Sequence, residues 1–439
     1  MLSYPVRIAL IAALGGFLFG FETVVISGAE QTLEQFWQLH GLMQGITVSS
    51  SIFGTVLGAL VAGGPAKKFG RKKVLQVIAV MFVVAALGCA FVSAWGLFIF
   101  FRMIGGLAVG ASSVIAPMYI SEISPAGMRG RLAGSFQVNI VAGIVVAYLT
   151  NYLFLRLQLT ESWRWMLGVM VIPAVIFWIL LLAIPESPRW LILNNDEQAA
   201  IPILKRLGEQ HLSATITAIR ESVREHQESL FQKRYSKPIV YAMLLAMFNQ
   251  LSGINGILYY APRFFTMAGF DKSQAFSQPI YIGVANLVFT LLAMTVIDKF
   301  GRKTLLIIGS LGMIVFLGLT AWAFKSQSAG HHLLYYLIGF IAFFAFSQGA
   351  VIWVFISEIF PNSVRSQGGS LGSTTHWAMA WIITTVVPGI LEGSNNGAYY
   401  SFTFFAIMMV VQLIFIWRVM PETKGRTLEE IQKDLGITG

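Results

Sequence analysis

Twelve apolar runs, most of them about twenty residues long, constrain this chain more than anything else in it. They fall at roughly 8–29, 44–65, 74–92, 95–117, 132–155, 164–184, 239–261, 279–297, 304–324, 333–356, 367–391 and 399–420. At 1.5 Å per residue such a run crosses the ~30 Å hydrocarbon core of a bilayer as a helix, and it is too long for a buried core helix. Composition agrees: 56% of the 439 residues are hydrophobic and 11% are charged, less than half the share of about 25% in globular domains. The sequence predicts an all-α integral membrane protein with twelve transmembrane helices.

The net charge of +10 would suit nucleic acid, but the positions of the charges argue for a lipid bilayer instead. Five Lys and Arg residues (Arg156, Arg164, Arg263, Lys272 and Lys325) fall in loops on one side. Nearly all the others fall on the opposite side, among them Lys67, Lys68, Arg71, Lys72, Lys73, Arg129, Arg131, Lys299, Arg302, Lys303 and Arg365. Short cytoplasmic loops carry such an excess, so both termini are expected in the cytoplasm. The first run starts near residue 8 and reads as a retained span of a cell (inner) membrane protein, not a cleaved signal. The single cysteine, Cys89, lies within the third run and has no internal partner.

The chain repeats itself. Lys68-Phe69-Gly70-Arg71-Lys72 returns as Lys299-Phe300-Gly301-Arg302-Lys303. Ser121-Glu122-Ile123-Ser124-Pro125, with Arg129, returns as Ser357-Glu358-Ile359-Phe360-Pro361 with Arg365, and Pro185-Glu186 returns as Pro421-Glu422. Three motifs in one order at nearly one offset describe two parallel six-span halves, 1–185 and 238–420, and such repeats place a substrate site between them near the midplane. The polar joint, 186–237, reads as cytoplasmic amphipathic helices, and 421–439 as a cytoplasmic tail.

Glu22 and Arg102 stand well inside apolar runs. A bare charge there costs at least about 2.5–3.5 kcal/mol on insertion scales, so such residues pair, face a cavity and carry function. If the first run goes outward and the fourth inward, both sit roughly 10 Å below the outer surface. Burial favours a neutral acid, whereas a neighbouring guanidinium favours the carboxylate. Making and breaking the pair would therefore switch proton affinity; a static pair holding two spans together is the competing reading.

Six motifs stand in order: Gly16-Phe17-Leu18-Phe19-Gly20-Phe21-Glu22, Arg102-Met103-Ile104-Gly105-Gly106, Pro185-Glu186-Ser187-Pro188-Arg189, Gln250-Leu251-Ser252-Gly253-Ile254-Asn255, Asp298-Lys299-Phe300-Gly301-Arg302 and Pro421-Glu422-Thr423-Lys424-Gly425. Together they resemble the sugar porter family of the major facilitator superfamily, across nearly the whole chain. The resemblance implies the major facilitator fold with pseudo-two-fold symmetry, and import of a monosaccharide with a proton by alternating access, through Glu22 and Arg102. It implies sugar contacts at Phe19, Gln137, Asn249, Gln250, Asn255, Tyr259, Asn286, Gly349, Trp353, His376 and Trp377. It also implies a conformational charge network of Arg71, Glu122, Arg129, Glu186, Arg189, Asp298, Arg302, Glu358, Arg365 and Glu422, and a functional monomer.

The chain departs from that pattern at Asn249 and His376, where Gln is usual, at Ala350 in place of Pro, and at Lys67 in place of an acid. Gln250 and Asn255 lie about 140° apart on an ideal helix, so they can share a site only if the cavity wraps around or the helix distorts near Gly253 or Gly256. The Gly-rich parts of spans 1 and 7 are therefore candidate gates. Nothing in the chain reads as an enzyme: Ser, His and Asp do not cluster, and no nucleotide-binding loop appears. His331-His332 lacks a nearby carboxylate, so neither metal nor cofactor is expected. A passive sugar uniporter is the first alternative and a membrane sugar sensor the second.

Overall fold

The computed structural model describes residues 3–221, 228–361, 363–424, 426, 430–431, 435 and 437, apart from the side chains of Ala126, Asp298 and Ser357. The described residues form helices and no strand. Six spans precede the polar joint: span 1, Tyr4–Trp37; span 2, Leu42–Val61; span 3, Arg71–Phe91; span 4, Trp95–Ile123; span 5, Arg129–Arg156; and span 6, Ser162–Leu182. Six follow it. Span 7 comprises Ser236–Leu251, Ile254–Tyr259 and Ala261–Met267; span 8 is Lys272–Phe300; span 9 is Arg302–Lys325. Span 10 comprises Ala329–Phe346 and Gln348–Ile359; span 11 is Arg365–Glu392; span 12 is Gly397–Arg418. Ten are long and apolar enough as helices to cross a membrane. The other two are span 7, divided into pieces, and span 11, which opens on Arg365-Ser366-Gln367 and carries Ser373, Thr374, Thr375 and His376. The apolar runs thus become twelve helical spans, the number that the resemblance to major facilitators implies.

Three elements differ from expectation for local reasons. Span 1 does not end near Ala29 but runs on through Glu30 and Glu34 to Trp37. Nor does its glycine-rich part distort: Gly20 sits where a Cβ would overlap the carbonyl of Ile140, so glycine here serves close approach to span 5. Span 7 does break. Gly253 adopts φ +83°, a left-handed conformation that costs an L-residue about 1–2 kcal/mol, and the ring of Phe405 fills the place a Cβ would take. Span 10 breaks at Ser347 (φ −117°, ψ −84°), between two helices expected as one.

Contacts gather the chain into two compact units, each assembled from several stretches. One comprises Met1–Thr23, Phe53–Ala147 and Arg164–His226; the other comprises Val24–Ile52, Tyr148–Trp163 and Gln227–Gly439. In the first, helices Pro188–Leu193, Glu197–Leu207 and Leu212–Glu221 of the joint pack around Leu191, Ile192, Ala200 and Leu204. Trp190 Nε1 ties them to the carbonyl of Lys67 at 2.8 Å. In the second, the end of span 1, the start of span 2 and the end of span 5 join the later spans: Asn151 donates to the carbonyl of Val25 (3.1 Å), Tyr148 to that of Leu258 (2.7 Å), and the hydroxyls of Ser49 and Thr385 meet at 2.7 Å.

Candidate functional site

In the first unit Arg102 is 1% exposed and Glu22 6%, and Arg102 Nη1 bonds Glu22 Oε1 as a buried ion pair between spans 4 and 1. Gly105, one turn beyond Arg102, makes room: a Cβ there would stand 2.9 Å from Glu22 Oε1. Nε and Nη2 of Arg102 have no hydrogen-bond partner among the described residues. The guanidinium therefore grips this carboxylate through one nitrogen and not through the two-bond fork that makes Arg–carboxylate pairs strongest. Protonating Glu22 removes the charge on which that contact depends. Phe19 and Gln137 belong to the same unit, on spans 1 and 5, and are half-buried.

The second unit holds the other residues expected to contact sugar. Asn249, Gln250, Asn255, Tyr259, Asn286, His376 and Trp377 are all buried, whereas Trp353 is 38% exposed. Gln250 Nε2 lies 3.1 Å from His376 Nε2 and 3.0 Å from Asn249 Oδ1, to which it donates. Aromatic rings flank the imidazole, with Trp353 and Trp377 each 5.0 Å from it between centroids. Thr290 Oγ1 lies 3.5 Å from Asn286 Oδ1 on span 8. The break at Gly253 separates Gln250, on the first helix of span 7, from Asn255 and Tyr259 on the second. Gly349 falls in the second helix of span 10, just after the break at Ser347. Amides beside indole faces, in a largely apolar surround, are what binding a polyhydroxylated ring requires.

Six of the residues expected in a charge network, Arg71, Glu122, Glu186, Arg302, Glu358 and Glu422, form two triads of one design. In the first unit Arg71 Nη2 meets Glu122 Oε1 at 2.8 Å, while Glu186 Oε1 accepts from the backbone N–H groups of Arg71 (2.9 Å) and Lys72 (3.1 Å). Ser187 Oγ donates to Glu122 Oε2 at 2.5 Å. In the second unit Arg302 Nη2 meets Glu358 Oε1 at 2.9 Å, Glu422 accepts from the N–H groups of Arg302 (2.9 Å) and Lys303 (3.0 Å), and Thr423 Oγ1 donates to Glu358 Oε2 at 2.6 Å. In each triad a carboxylate satisfies the otherwise unpaired N–H groups at a helix start. Gly70 (φ +92°) and Gly301 (φ +89°) precede those starts, and a Cβ on either would strike the carboxylate. Arg129 and Arg189 are exposed and line a cavity of about 420 Å³ beside Glu122 and the joint helices. Arg365 Nε reaches the carbonyl of Phe360 at 3.4 Å. The side chain of Asp298 lies outside the described set.

One cluster was missed because Arg263 reads as a loop residue. It lies instead on the third helix of span 7, 2.7 Å from Glu30, which is 0% exposed. Arg263 also pairs with Glu34, and Gln44 Nε2 donates to Glu30 Oε2 at 3.0 Å. Glu30 falls just past the first apolar run, so only the continuation of span 1 as helix discloses it.

With this geometry in place, comparison with known proteins gives the family. The model for "Sugar (and other) transporter" matches residues 8–435, and the chain belongs to that family of membrane transporters, which are not enzymes. An arabinose-proton symporter of Bacillus subtilis (strain 168) is 35% identical over 443 residues, covering 98% of this chain and 95% of the relative. A D-xylose-proton symporter of Escherichia coli (strain K12) is 34% identical over 480 residues, covering 98% and 95%. The inward open conformation of the xylose transporter XylE from E. coli superposes with a TM-score of 0.88 at 34% identity, covering 98% of this chain and 99% of that one.

Proposed function

We propose that the chain imports a monosaccharide, a hexose such as glucose or a pentose such as xylose, together with a proton by alternating access. The observation that carries this is the buried Glu22–Arg102 pair of spans 1 and 4. An intramembrane acid and base are costly unless they serve function. The similar proteins reported above, an arabinose-proton and a D-xylose-proton symporter, support the same pairing of solutes. In this reading a proton on Glu22 releases Arg102, and the change in contact is tied to the occupancy of the amide and indole site. The two triads bias the conformational equilibrium by forming in one state and opening in another. The organisation proposed is two six-span halves, 1–185 and 238–420, with the joint and both termini in the cytoplasm, in a cell membrane, working as a monomer.

The test is external pH in weakly buffered proteoliposomes. D-glucose, D-xylose and L-arabinose are added one at a time to wild type and to Glu22→Gln. Alkalinisation with one sugar, lost in the variant while binding of that sugar persists, is the expected result. Labelled sugar entering at constant pH would make the chain a uniporter and the pair structural.

A further inference from the structure

A row of buried side chains runs from the sugar-site amide into the helix packing behind it. Ser310 on span 9, Gln412 on span 12, Gln348 on span 10 and Asn249 and Gln250 on span 7 are each at most 1% exposed. They are joined end to end. Gln412 Nε2 lies 3.0 Å from Ser310 Oγ, Gln348 Nε2 lies 2.5 Å from Gln412 Oε1, Asn249 Nδ2 lies 3.3 Å from Gln348 Oε1, and Gln250 Nε2 lies 3.0 Å from Asn249 Oδ1.

Oxygen and nitrogen of an amide are ordinarily interchangeable in such a row, and the network around them has to decide the orientation. Here the backbone decides it. Ser310 Oγ gives its one proton to the carbonyl of Leu306 at 2.7 Å, so toward Gln412 it can only accept. Gln412 must then turn its NH₂ to Ser310 and its oxygen to Gln348. Gln348 turns its NH₂ to that oxygen and its own oxygen to Asn249. The carbonyl of Gln348, 3.4 Å from Asn249 Nδ2, is a second backbone acceptor that holds Asn249 the same way round. Asn249 is left with its oxygen toward Gln250, whose NH₂ is committed to that oxygen and to the His376 ring. What remains is Gln250 Oε1, buried and without a hydrogen-bond partner among the described residues.

We propose that this row fixes Gln250 as an acceptor toward the transported sugar, so that the sugar is recognised there through a hydroxyl that donates. Ser310, Gln348 and Gln412 are thereby positioning residues for recognition, although none of them lies among the sugar-contacting residues. The proposal rests on the sugar reading above, and the experiment keeps the two apart.

The probes are D-glucose, D-xylose and L-arabinose with their monodeoxy and monofluoro analogues, in competition binding to the purified protein. Fluorine replaces a hydroxyl as a weak acceptor and cannot donate. At one ring position the deoxy and fluoro analogues should bind equally poorly, about threefold to tenfold below the parent sugar, the worth of one hydrogen bond. Gln412→Leu leaves the Gln348 NH₂ without its acceptor, so that it turns toward the Asn249 NH₂ and opposes the hold of the Gln348 carbonyl on Asn249; there the fluoro analogue should recover in part relative to the deoxy analogue. Gln412→Glu, whose carboxyl still accepts from Gln348, should behave as wild type. A folded Gln412→Leu with an unchanged analogue profile would overturn the proposal. So would fluoro analogues that match the parent at every position. Ser310→Ala removes only the anchor and serves if Gln412→Leu does not fold. If wild type binds none of the three sugars, the sugar reading fails, and unfolding temperatures then test the row alone. Gln348→Leu and Gln412→Leu should be non-additive in the double variant, whereas additive shifts would sink it.

Discussion

At the scale of single residues, the two buried ion pairs differ in how their charges balance. Arg102 pairs with Glu22, whereas Arg263 is shared by Glu30, Glu34 and, at 4.0 Å, Glu392. Removing one partner of a buried pair leaves an uncompensated charge and costs about 3–5 kcal/mol. Arg263→Leu leaves three carboxylates facing one another, so a large fall in the unfolding temperature of the detergent-purified protein is expected. Arg263→Lys should fall in between, because an ammonium cannot span carboxylates as a planar guanidinium does. An unchanged unfolding temperature in Arg263→Leu would show that the cluster does not hold spans 1 and 7. The sequence disclosed the first pair and hid the second for one physical reason. Glu22 and Arg102 interrupt apolar runs and stand out by contrast, while Glu30 and Arg263 follow their runs and look like loop charges until the helices are seen to continue.

At the scale of elements, span 7 owes its shape to one backbone angle. Gly253→Ala forces an L-residue into the left-handed region and drives a methyl into the Phe405 ring, so it should cost about 1–2 kcal/mol from the backbone alone. Gly256→Ala is the control, because its nearest neighbour is a Val387 methyl at 3.2 Å. Equal stability of the two variants would count against the break as the source. Both glycines were visible as candidate distortions, but nothing in the sequence chose between them. The break at Ser347 lacked even that signal. Where the joint re-enters span 7, Glu228 accepts from Tyr235 and pairs with Arg234, and its backbone carbonyl accepts from Gln367 at 2.8 Å. The Tyr235 hydrogen bond, foremost, holds this carboxyl below the ordinary glutamate range. A depressed value means that its contribution is present at neutral pH and is lost as pH falls through the folded value. Hydrogen exchange at the Leu230 N–H, which donates to Gln367 at 3.0 Å, should therefore show loss of protection on acidification. Tyr235→Phe should move that loss to higher pH, toward the ordinary value of about 4.3. A midpoint that stays put would separate Tyr235 from this titration.

At the scale of the whole molecule, spans, charge asymmetry and repeat motifs were legible because the bilayer imposes length and polarity on sequence directly. The hydrogen-bonded row behind Gln250 was not, since its members are ordinary amides and one hydroxyl scattered over four spans. The repeat has a further consequence. Its two triads have the same parts but not the same wetness: the Glu122 side chain is 8% exposed and that of Glu358 is 28%. Dissolved ions reach the second more readily, and the Debye length shrinks from about 10 Å at 0.1 M to about 3 Å at 1 M. In strong brine Glu358→Gln should converge on wild type in uptake, while Glu122→Gln keeps its full defect; parallel behaviour of the two would deny the asymmetry. Duplicated in letters, the two triads proposed as switches differ in electrical insulation, so the ionic strength of the medium becomes, on that proposal, a dial that turns one and spares the other.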